Sequence, residues 1–579
     1  MKLKTGNRRI AILGGGPSGL FIYKRLIESN RGDFTVDIFE AGNVLGAGMP
    51  YSDKGANVEH VTNVSDNEIP DIVTSIEEWI QTVPPDTLAK FNLDPKRFNE
   101  YKVLPRLLFG QYLSAQFDLL KQMADDAGIE TTIHLDSKIT DIIDQPEDEE
   151  VWIQVGEKDI SKFDCVIICT GHKWPIKHEG KIPGYFDSPY PPVKLAFKAD
   201  HTIAIRGSSL TAIDAIRTLA RCNGTFTKSE EGILRFNPAE GSSNFKLVMH
   251  SRNGMLPAVR FHLEDPLLSK DSLLSKEEIT QNIAENNGFL SLDYVFQKDF
   301  KDTFKGKDSI FYDFIKDRTI EEFVEAMMNL REKMEPFELF RVEYLEAEKS
   351  IKRKESIYWK EMLAVLSFAM NYPAKYLSAE DMIRLQKVLM PLISIVIAFV
   401  PQSSCEELLA LHDAGKLDIV SVGSDNSVEP AEEGGATFQY TDENGESKSD
   451  FFKTFIDCVG QPHLSYDAFP FNSLVSKQSV TPARLKFKSP EEGKAALKDG
   501  NKEVESDESG EYYLKVPGIV INDNFQIVDK NGENNDRVYI MAVPYIGGFN
   551  PDYSGLDFCE EASDNIVKNI LDLQQEPIY

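Results

Sequence analysis

The sequence of 579 residues predicts an α/β fold with two Rossmann-like dinucleotide-binding domains and a helical insertion. Three observations lead to this prediction. An apolar strand, a glycine-rich turn and an amphipathic helix follow one another over residues 9–27, and a related unit recurs over residues 202–220. From about residue 265 to 400 the chain is charged and has helical periodicity. Buried strands that alternate with helices are typical of parallel sheets covered on both faces.

The first glycine-rich turn follows the strand at residues 9–13 and precedes a helix. Gly14 permits a tight turn, Gly16 lets the backbone approach a pyrophosphate, and Gly19 lets the helix pack against the strand. The pyrophosphate would lie at the helix N-terminus, and Glu40, at the end of the next strand, would accept a hydrogen bond from a ribose 2′-hydroxyl. Because a carboxylate repels a 2′-phosphate, this site is predicted to bind FAD or NAD and not NADP.

The second unit reads Gly207-Ser208-Ser209-Leu210-Thr211-Ala212 after the strand at 202–206. Serine and alanine replace two of the glycines, and both are small enough for close approach to a phosphate. The next strand ends in Ser251 and Arg252, whose hydroxyl and guanidinium groups can hold a 2′-phosphate. The alternative for Arg252 is an ordinary solvated side chain. The first site has no partner for a 2′-phosphate, and the second site has one. Together the two sites predict a flavin that is reduced by NADPH.

The composition excludes several classes of partner. A formal net charge of −30 opposes binding to nucleic acid or to an anionic membrane, because both carry phosphate. The longest apolar run, residues 388–400, is too short to span a bilayer and contains a proline, so it is predicted to be a buried helix. The first strand begins too early to leave room for a signal peptide, and we expect a cytoplasmic protein. No metal site is expected, and the sequence leaves homo-oligomerisation open.

Cysteine spacing bears on the type of flavin chemistry. The six cysteines are widely spread, and no Cys-x-x-Cys pair is present. Buried, reduced thiols are therefore predicted. Disulfide reductase chemistry, which uses a redox-active cysteine pair beside the flavin, is disfavoured.

The order of these units predicts the domain boundaries. An FAD-binding domain would occupy residues 1–198 and 455–579, an NADPH-binding domain residues 199–264 and 401–454, and the helical insertion residues 265–400. The insertion is predicted to be either a structural cap or a lid over the substrate. Segments 424–450 and 488–512, rich in Glu, Gly, Ser, Lys and Asp, are predicted to be hairpins or loops.

These motifs resemble those of flavoproteins with two dinucleotide-binding domains, and in particular the single-component, NADPH-dependent flavin monooxygenases. That group includes amino-acid N-hydroxylases. A closer resemblance is to a bacterial family of FAD/NAD(P)-binding proteins, some of whose members resemble N-hydroxylases. The resemblance to the monooxygenases is carried by residues 14–19, 62–63, 69–70, 110–113, 169–172, 207–212, 251–252 and 547–548. The resemblance to the bacterial family is carried by residues 46–51, 105–113, 210–214 and 251–254.

The motifs and the resemblance together imply a set of cofactor-binding residues. These are Gly14, Gly16, Pro17, Ser18, Gly19, Glu40, Gly48, Met49, Tyr51, Arg106, Ile139, Thr170, Gly171, Gly207, Ser209, Thr211, Ser251, Arg252, Gly548, Asn550 and Ser554.

The resemblance also implies an activity. The protein would consume NADPH and O₂, form a flavin C4a-hydroperoxide, and N-hydroxylate a small amine or amino acid. Insertion of oxygen into a ketone is disfavoured. The fingerprint of Baeyer–Villiger enzymes pairs Phe-x-Gly with a downstream His, whereas here Phe186 is followed by Asp-Ser-Pro-Tyr at residues 187–190. The alternatives are an NADPH-dependent flavin reductase or dehydrogenase without oxygen transfer, and a flavin-binding interaction protein.

Three residues are catalytic candidates. The resemblance places Asn63 near the flavin N5 and the peroxide, whereas the alternative is a loop asparagine that caps the next turn. Arg106 would be a cation at the isoalloxazine or at a substrate carboxylate, and its alternative is a surface ion pair. His172 would line the NADPH cleft or pack in its loop. The identity of the substrate is beyond the sequence.

Overall fold

The computed structural model describes residues 7–99, 101–157, 159–172, 174–264, 273–442, 444–461, 463–551 and 555–571. The first part of the chain forms the elements β1 (Arg8–Leu13), α1 (Pro17–Glu28), β2 (Phe34–Phe39), β3 (Val61–Ser65), α2 (Ile76–Ile80), α3 (Pro85–Lys90), β4 (Val103–Pro105), α4 (Arg106–Asp126), β5 (Thr131–His134), β6 (Ile139–Gln145), β7 (Glu150–Val155), β8 (Asp159–Phe163), β9 (Cys165–Ile168) and β10 (Tyr185–Phe186).

The middle of the chain contains the second glycine-rich unit and most of the long helices. Its elements are β11 (Thr202–Arg206), α5 (Leu210–Asn223), β12 (Gly224–Lys228), β13 (Leu234–Pro238), β14 (Lys246–Ser251), α6 (Lys276–Glu285), α7 (Leu292–Asp299), α8 (Ser309–Ile315), α9 (Ile320–Glu332), α10 (Pro336–Arg353), α11 (Tyr358–Met370), α12 (Ala379–Arg384), α13 (Met390–Val396) and α14 (Gln402–Asp413).

The last part returns to strands and ends in a helix. Its elements are β15 (Leu417–Ser421), β16 (Ser427–Pro430), β17 (Ala436–Thr441), β18 (Ser447–Phe452), β19 (Thr454–Asp457), α15 (Asn472–Ser476), β20 (Pro482–Lys486), α16 (Pro490–Lys498), β21 (Val504–Ser506), β22 (Tyr512–Ile519), β23 (Gln526–Val528), β24 (Asn534–Ile540) and α17 (Leu556–Ile570).

The first sheet has six strands in the order β23-β24-β9-β1-β2-β5. All neighbours are parallel except β23 and β24, which form an antiparallel edge. Residues 10–13 of β1 are fully buried, as are residues 165–168 of β9, because both helix α1 and the three-stranded sheet β6-β7-β8 pack against this sheet. The C-terminal ends of β1 and β9 are neighbours, so the segments that follow them meet at one edge of the sheet.

The second sheet has five strands in the order β10-β19-β11-β14-β15, all parallel. The two parallel sheets confirm the predicted α/β class. One strand differs from the sequence prediction. We expected the strand near residue 455 to open the closing part of the first domain, but β19 pairs with β10 and β11 in the second sheet. A short apolar strand fits either sheet, and its partner is decided by long-range pairing.

The helical insertion, α6 to α13, is joined in sequence to the second sheet but packs mainly on the first domain. Most of its buried side chains belong to one continuous hydrophobic cluster with those of the first sheet, whereas the second sheet has a separate cluster. Asp523, in the turn before β23, accepts hydrogen bonds from Tyr372 (2.6 Å) and Tyr376 (2.9 Å). It also forms an ion pair with Lys375. Apolar packing and this polar contact fix the insertion to the first domain.

Of the two segments predicted as hairpins or loops, 424–450 forms most of a small antiparallel sheet made of β16, β17 and β18. Segment 488–512 differs from the prediction, because it contains the helix α16 and then β21, which is an edge strand of the antiparallel sheet β20-β22-β21. Among the described residues, no helix combines the length and the apolar character that a membrane span requires.

Candidate functional site

The turn after β1 forms a cradle that only glycine can build. Gly14 has φ +117°, and a Cβ there would overlap the carbonyl oxygen of Cys169. A Cβ at Gly19 would overlap the Gly14 carbonyl. Helix α1 then begins at Pro17, and its N-cap residue Gly16 contributes no side-chain hydrogen bond. The first N–H groups of the helix therefore stay available to an anion.

Glu40, directly after β2, is held in place beside this cradle. Its carboxylate accepts hydrogen bonds from the backbone N–H of Gly15 (2.8 Å) and of Gly42 (2.7 Å). Two fixed N–H donors orient both carboxylate oxygens while leaving further lone pairs for a ribose hydroxyl. The sequence indicated the acid but not the two N–H groups that orient it.

The loop at residues 46–51 closes over the cradle. The Gly46 N–H donates to the Gly15 carbonyl (2.7 Å), and Gly48 lies across from Gly16, where a Cβ would be 3.2 Å from the Gly48 Cα. Tyr51 packs edge-on against Phe109 of α4 with ring centroids 4.8 Å apart. The loop therefore packs closely against the cradle and narrows the opening through which a ligand would reach it.

The other predicted FAD residues lie around this edge. The Met49 carbonyl accepts the N–H of Ser52, and the Ser18 hydroxyl lies 3.5 Å from the Cys559 sulfur. Ile139 opens β6, and Gly171 follows the end of β9 with open space around it.

The closing loop joins this group from the C-terminal part of the chain. The Gly548 N–H donates to the Pro517 carbonyl at 2.9 Å. Asn550 is buried, and its side-chain amide is placed to donate to the Asn371 carbonyl of the insertion at 2.7 Å. Ser554 lies outside the described residues. The insertion thus contacts the loop that the sequence assigned to the flavin.

The second cradle lies between β11 and α5. Gly207 has φ +105°, its N–H donates to the His250 carbonyl (2.8 Å), and a Cβ would be 2.9 Å from the Cys458 carbonyl oxygen. Ser209 caps α5 without a side-chain hydrogen bond, and Thr211 lies half-buried in the first turn. The N-terminus of α5 is therefore also free to receive a phosphate.

The end of β14 presents the two residues predicted to read a 2′-phosphate. The Ser251 hydroxyl is buried and has no hydrogen-bond partner within the described part of the chain. Arg252 is exposed, and the structure shows no carboxylate paired with its guanidinium among the residues it describes. A buried hydroxyl without a partner beside an available guanidinium fits an absent phosphate.

Arg106 lies in the seam between the two domains. Its guanidinium is 2.7 Å from the Asp214 carboxylate on α5, and its Nε donates to the Val61 carbonyl at 3.2 Å. The Tyr190 hydroxyl donates to the same carboxylate at 2.8 Å. Although burial opposes its charge, the neighbouring carboxylate of Asp214 raises the pKa of Arg106 above its usual value. The alternative stated for Arg106 was an ion pair at the surface, and the structure places the pair in a buried seam.

The three catalytic candidates lie along this seam. Asn63, on β3, is two residues from Val61, which binds Arg106. On the other side, the Tyr190 ring lies 5.1 Å from Trp174, whose ring lies 6.0 Å from that of His172. Contacts therefore connect β3 to the segment after β9.

Sequence reasoning missed several residues of the seam. Asp214 lies in the motif at residues 207–214, but neither Asp214 nor Tyr190 was predicted to lie at the seam, because their partners are distant along the chain. His463 could have been found, since Cys458-Val459-Gly460-Gln461-Pro462-His463 ends its strand in a pattern similar to Cys169-Thr170-Gly171-His172.

The two cradles, the oriented carboxylate and the partnerless Ser251 hydroxyl fit two dinucleotides. The fold and site define a flavoprotein with two dinucleotide-binding domains. Comparison with known families agrees: residues 11–173 match the model described as FAD-NAD(P)-binding, and residues 275–397 match the YdhS-like middle domain. FAD and NAD(P)H are the cofactors that this fold and the family match indicate.

One relative and several solved structures are similar to this chain. The uncharacterised protein YdhS of Escherichia coli K12 is 27% identical over 469 residues, covering 81% of this chain and 86% of that protein. The cadaverine monooxygenase DfoA of Erwinia amylovora has a TM-score of 0.46 at 11% identity, covering 100% of this chain and 97% of that one. The bacillithiol disulfide reductase of Staphylococcus aureus has a TM-score of 0.42 at 12% identity, covering 99% and 100%.

Proposed function

We propose that the protein is an NADPH-consuming, FAD-dependent monooxygenase that N-hydroxylates a small amine or amino acid. The observation that carries this proposal is the setting of Asn63. Its carbonyl accepts a hydrogen bond from Arg260, which is itself held by the Ser65 hydroxyl (2.8 Å) and by an ion pair with Glu68. The backbone at Asn63 is thereby fixed, while its side-chain amide has no partner among the described residues. An amide donor on a fixed backbone position can stabilise charge at the reacting oxygen.

The cysteines support oxygen transfer over thiol chemistry. All six are free. Burial raises the pKa of Cys559 to about 12 and that of its neighbour Cys169 well above the usual value. A thiol exchanges with a disulfide through its thiolate, so these two are poor nucleophiles at neutral pH. This favours the predicted absence of disulfide reductase activity.

The adenosine end of the second site supports NADPH as the reductant. Arg252 is exposed and Ser251 offers a hydroxyl without a partner, whereas an NAD-specific site presents an acid at the end of this strand. A guanidinium can bind a phosphate through two parallel hydrogen bonds.

The space beside the closing loop suits a small substrate. A cavity of about 480 Å³ lies between the insertion and the first domain, lined by Phe549, Asn524, Tyr376 and the Lys375–Asp523 pair. Cavities of this size bind small molecules. Because Lys375 and Asp523 are paired with each other, this open groove offers a small molecule the Phe549 and Tyr376 rings and the Asn524 amide.

The chain's own residues then divide the work. When bound, NADPH supplies the hydride and FAD the centre that activates oxygen. Asn63 donates a hydrogen bond at the oxygen to be transferred. Arg106 and Asp214 hold the two domains together across the seam, and the buried contact of Asn550 with the insertion keeps water from the closing loop.

The test is a coupling measurement on the FAD-loaded protein. NADPH and O₂ consumed, H₂O₂ released and hydroxylamine formed are measured with a panel of diamines and amino acids. We expect at least one amine to give hydroxylamine while lowering the fraction of NADPH recovered as H₂O₂. If every amine leaves NADPH oxidation fully balanced by H₂O₂, the protein is a reductase and the proposal is overturned.

A further inference from the structure

Polar atoms without partners are concentrated where the chain crosses between the two domains. In the part of the chain that the structure describes, ten buried side-chain atoms have no hydrogen-bond partner. Five of them lie in two short segments: Thr170 Oγ1, Trp174 Nε1, both amide atoms of Gln461, and His463 Nδ1. One segment follows β9, and the other follows β19. Because buried polar groups are nearly always satisfied, such a concentration indicates that something else provides the partners.

The two segments face each other. The imidazoles of His172 and His463 are close enough for the charge of one to lower the pKa of the other. The His463 ring lies so close to the closing loop that a Cβ at Gly547 would overlap it. On the opposite side, Trp174 contacts Tyr190, which reaches the Arg106–Asp214 pair. The partnerless atoms thus lie between the closing loop of the first domain and the seam with the second.

The chemistry of these atoms points to an uncharged amide group on the ligand. Gln461 offers a donor and an acceptor side by side, and Trp174 adds a single donor. Burial lowers the pKa of His463, which leaves that imidazole neutral at pH 7. A primary carboxamide, with one carbonyl oxygen and one NH₂ group, is complementary to Gln461 and Trp174 together.

We propose that the segments after β9 and β19 form the seat of the nicotinamide ring, with Gln461 and Trp174 holding its carboxamide. This rests on the proposed use of NADPH, and it names the residues that bring the hydride donor to the first domain. The adenosine half would be held elsewhere, by Ser251, Arg252 and the second cradle. The two halves of the cofactor can therefore be tested separately.

The experiment compares two ligands on the FAD-loaded protein. NADP⁺ carries the nicotinamide, whereas 2′,5′-ADP carries the adenosine and the 2′-phosphate alone. Gln461→Ala should weaken NADP⁺ binding about tenfold, the effect of losing two hydrogen bonds, and leave 2′,5′-ADP unchanged. Trp174→Phe removes the indole N–H and keeps an aromatic ring against Tyr190, so a smaller loss of the same selectivity is expected. Calorimetric titration and the flavin absorbance, which reports FAD content, are the readouts.

Arg252→Ala is the matched control and should weaken both ligands. The proposed nicotinamide site would be overturned if Gln461→Ala lost equal affinity for NADP⁺ and 2′,5′-ADP. It would also be overturned if NADP⁺ binding were unchanged in Gln461→Ala and in Trp174→Phe. Unchanged NADP⁺ binding with a raised KM for the amine would assign the segments to the substrate instead. Failure of the proposed monooxygenase is distinguishable, because NADP⁺ would then bind with the expected selectivity while no hydroxylamine forms.

Discussion

Gly16 matters for cofactor binding because it has no Cβ. Its Cβ position lies 3.2 Å from Gly48 Cα, in the opening through which a pyrophosphate would reach α1. Gly16→Val should therefore yield colourless protein, with FAD bound roughly ten- to a hundredfold more weakly, the usual effect of overfilling a packed site. Gly306→Val, where no atom lies within 4 Å of the added Cβ, should keep its flavin. The flavin absorbance of the purified proteins is the measurement. A yellow Gly16→Val protein would contradict the prediction that this cradle binds the FAD pyrophosphate.

Asn63 is expected to act on oxygen transfer and not on flavin reduction. Removing one preorganised donor costs on the order of 2–4 kcal/mol in the oxygenated state. Asn63→Ala should therefore oxidise NADPH at the normal rate and release H₂O₂ in place of product. Asn63→Asp keeps the size but loses the donor, and should also uncouple.

The measurement for both Asn63 variants is NADPH consumed, H₂O₂ released and product formed. Coupling equal to that of the unsubstituted protein would remove Asn63 from the mechanism. Slower anaerobic reduction of the flavin would instead place Asn63 on the nicotinamide side.

Arg252 should set the preference between NADPH and NADH. A charge-assisted pair with the 2′-phosphate contributes roughly 1.5–3 kcal/mol, or about ten- to a hundredfold in affinity. Arg252→Ala should abolish most of the preference and leave FAD content intact, while Arg252→Lys should keep part of it. The ratio of kcat/KM for the two cofactors is the readout. An unchanged ratio would show that another residue binds the phosphate.

At the scale of elements, β14 and the sheet that covers it link stability to pH. His250 is buried, its ring stacks on Phe438 with centroids 4.4 Å apart, and Phe452 lies 5.3 Å away. Burial lowers the pKa of His250 to about 4. Since the unfolded chain takes up this proton near pH 6.5, the contribution of His250 is complete above that pH and is lost as the pH falls towards 4.

The expected size of this effect is about 2 kcal/mol between pH 7.5 and pH 5. Urea unfolding of the second domain at the two pH values measures it. His250→Gln cannot titrate, and its stability should fall by about 2 kcal/mol less over the same range. Identical pH dependence of the two proteins would show that folding does not shift the pKa of His250.

Elements with local signals could be predicted from the sequence, and those decided by distant pairing could not. The unit β1–Gly14–α1 follows from adjacent residues, because strand, turn and helix each leave their own pattern. The position of β19 depends on its partners β10 and β11, which lie far away in the chain. The same holds for the site: motifs indicate the roles of the glycines, Glu40 and Arg252, whereas the motifs around Arg106 and Asp214 do not show that these two residues pair across 108 residues.

At the scale of the whole molecule, the Arg106–Asp214 pair connects the two domains. Removing one partner of a buried pair leaves an uncompensated charge and costs about 3–5 kcal/mol, whereas replacing both with apolar residues is often nearly neutral. Asp214→Leu should therefore destabilise the protein strongly, and Arg106→Met together with Asp214→Leu should recover most of the loss. The free energy of unfolding of the single and double variants gives the coupling.

The same double variant separates two roles of Arg106. If it folds, binds FAD and retains coupled turnover, Arg106 is an interdomain ion pair and nothing more. If it folds and binds FAD but loses turnover, Arg106 also contacts the substrate or the cofactor. A double variant as unstable as Asp214→Leu would contradict the expected compensation.

The insertion has a mechanical consequence for the two domains. The chain leaves the second sheet after β14, forms the insertion, which contacts Asp523 and Asn550 of the first domain, and returns to the second sheet through α14. The insertion therefore connects the two domains a third time, in addition to the chain crossings after β9 and β19. A swing of the second domain that carried the insertion with it would have to break the bonds of Tyr372 and Tyr376 to Asp523, so these contacts limit how far the two domains can move apart with the insertion attached to the second.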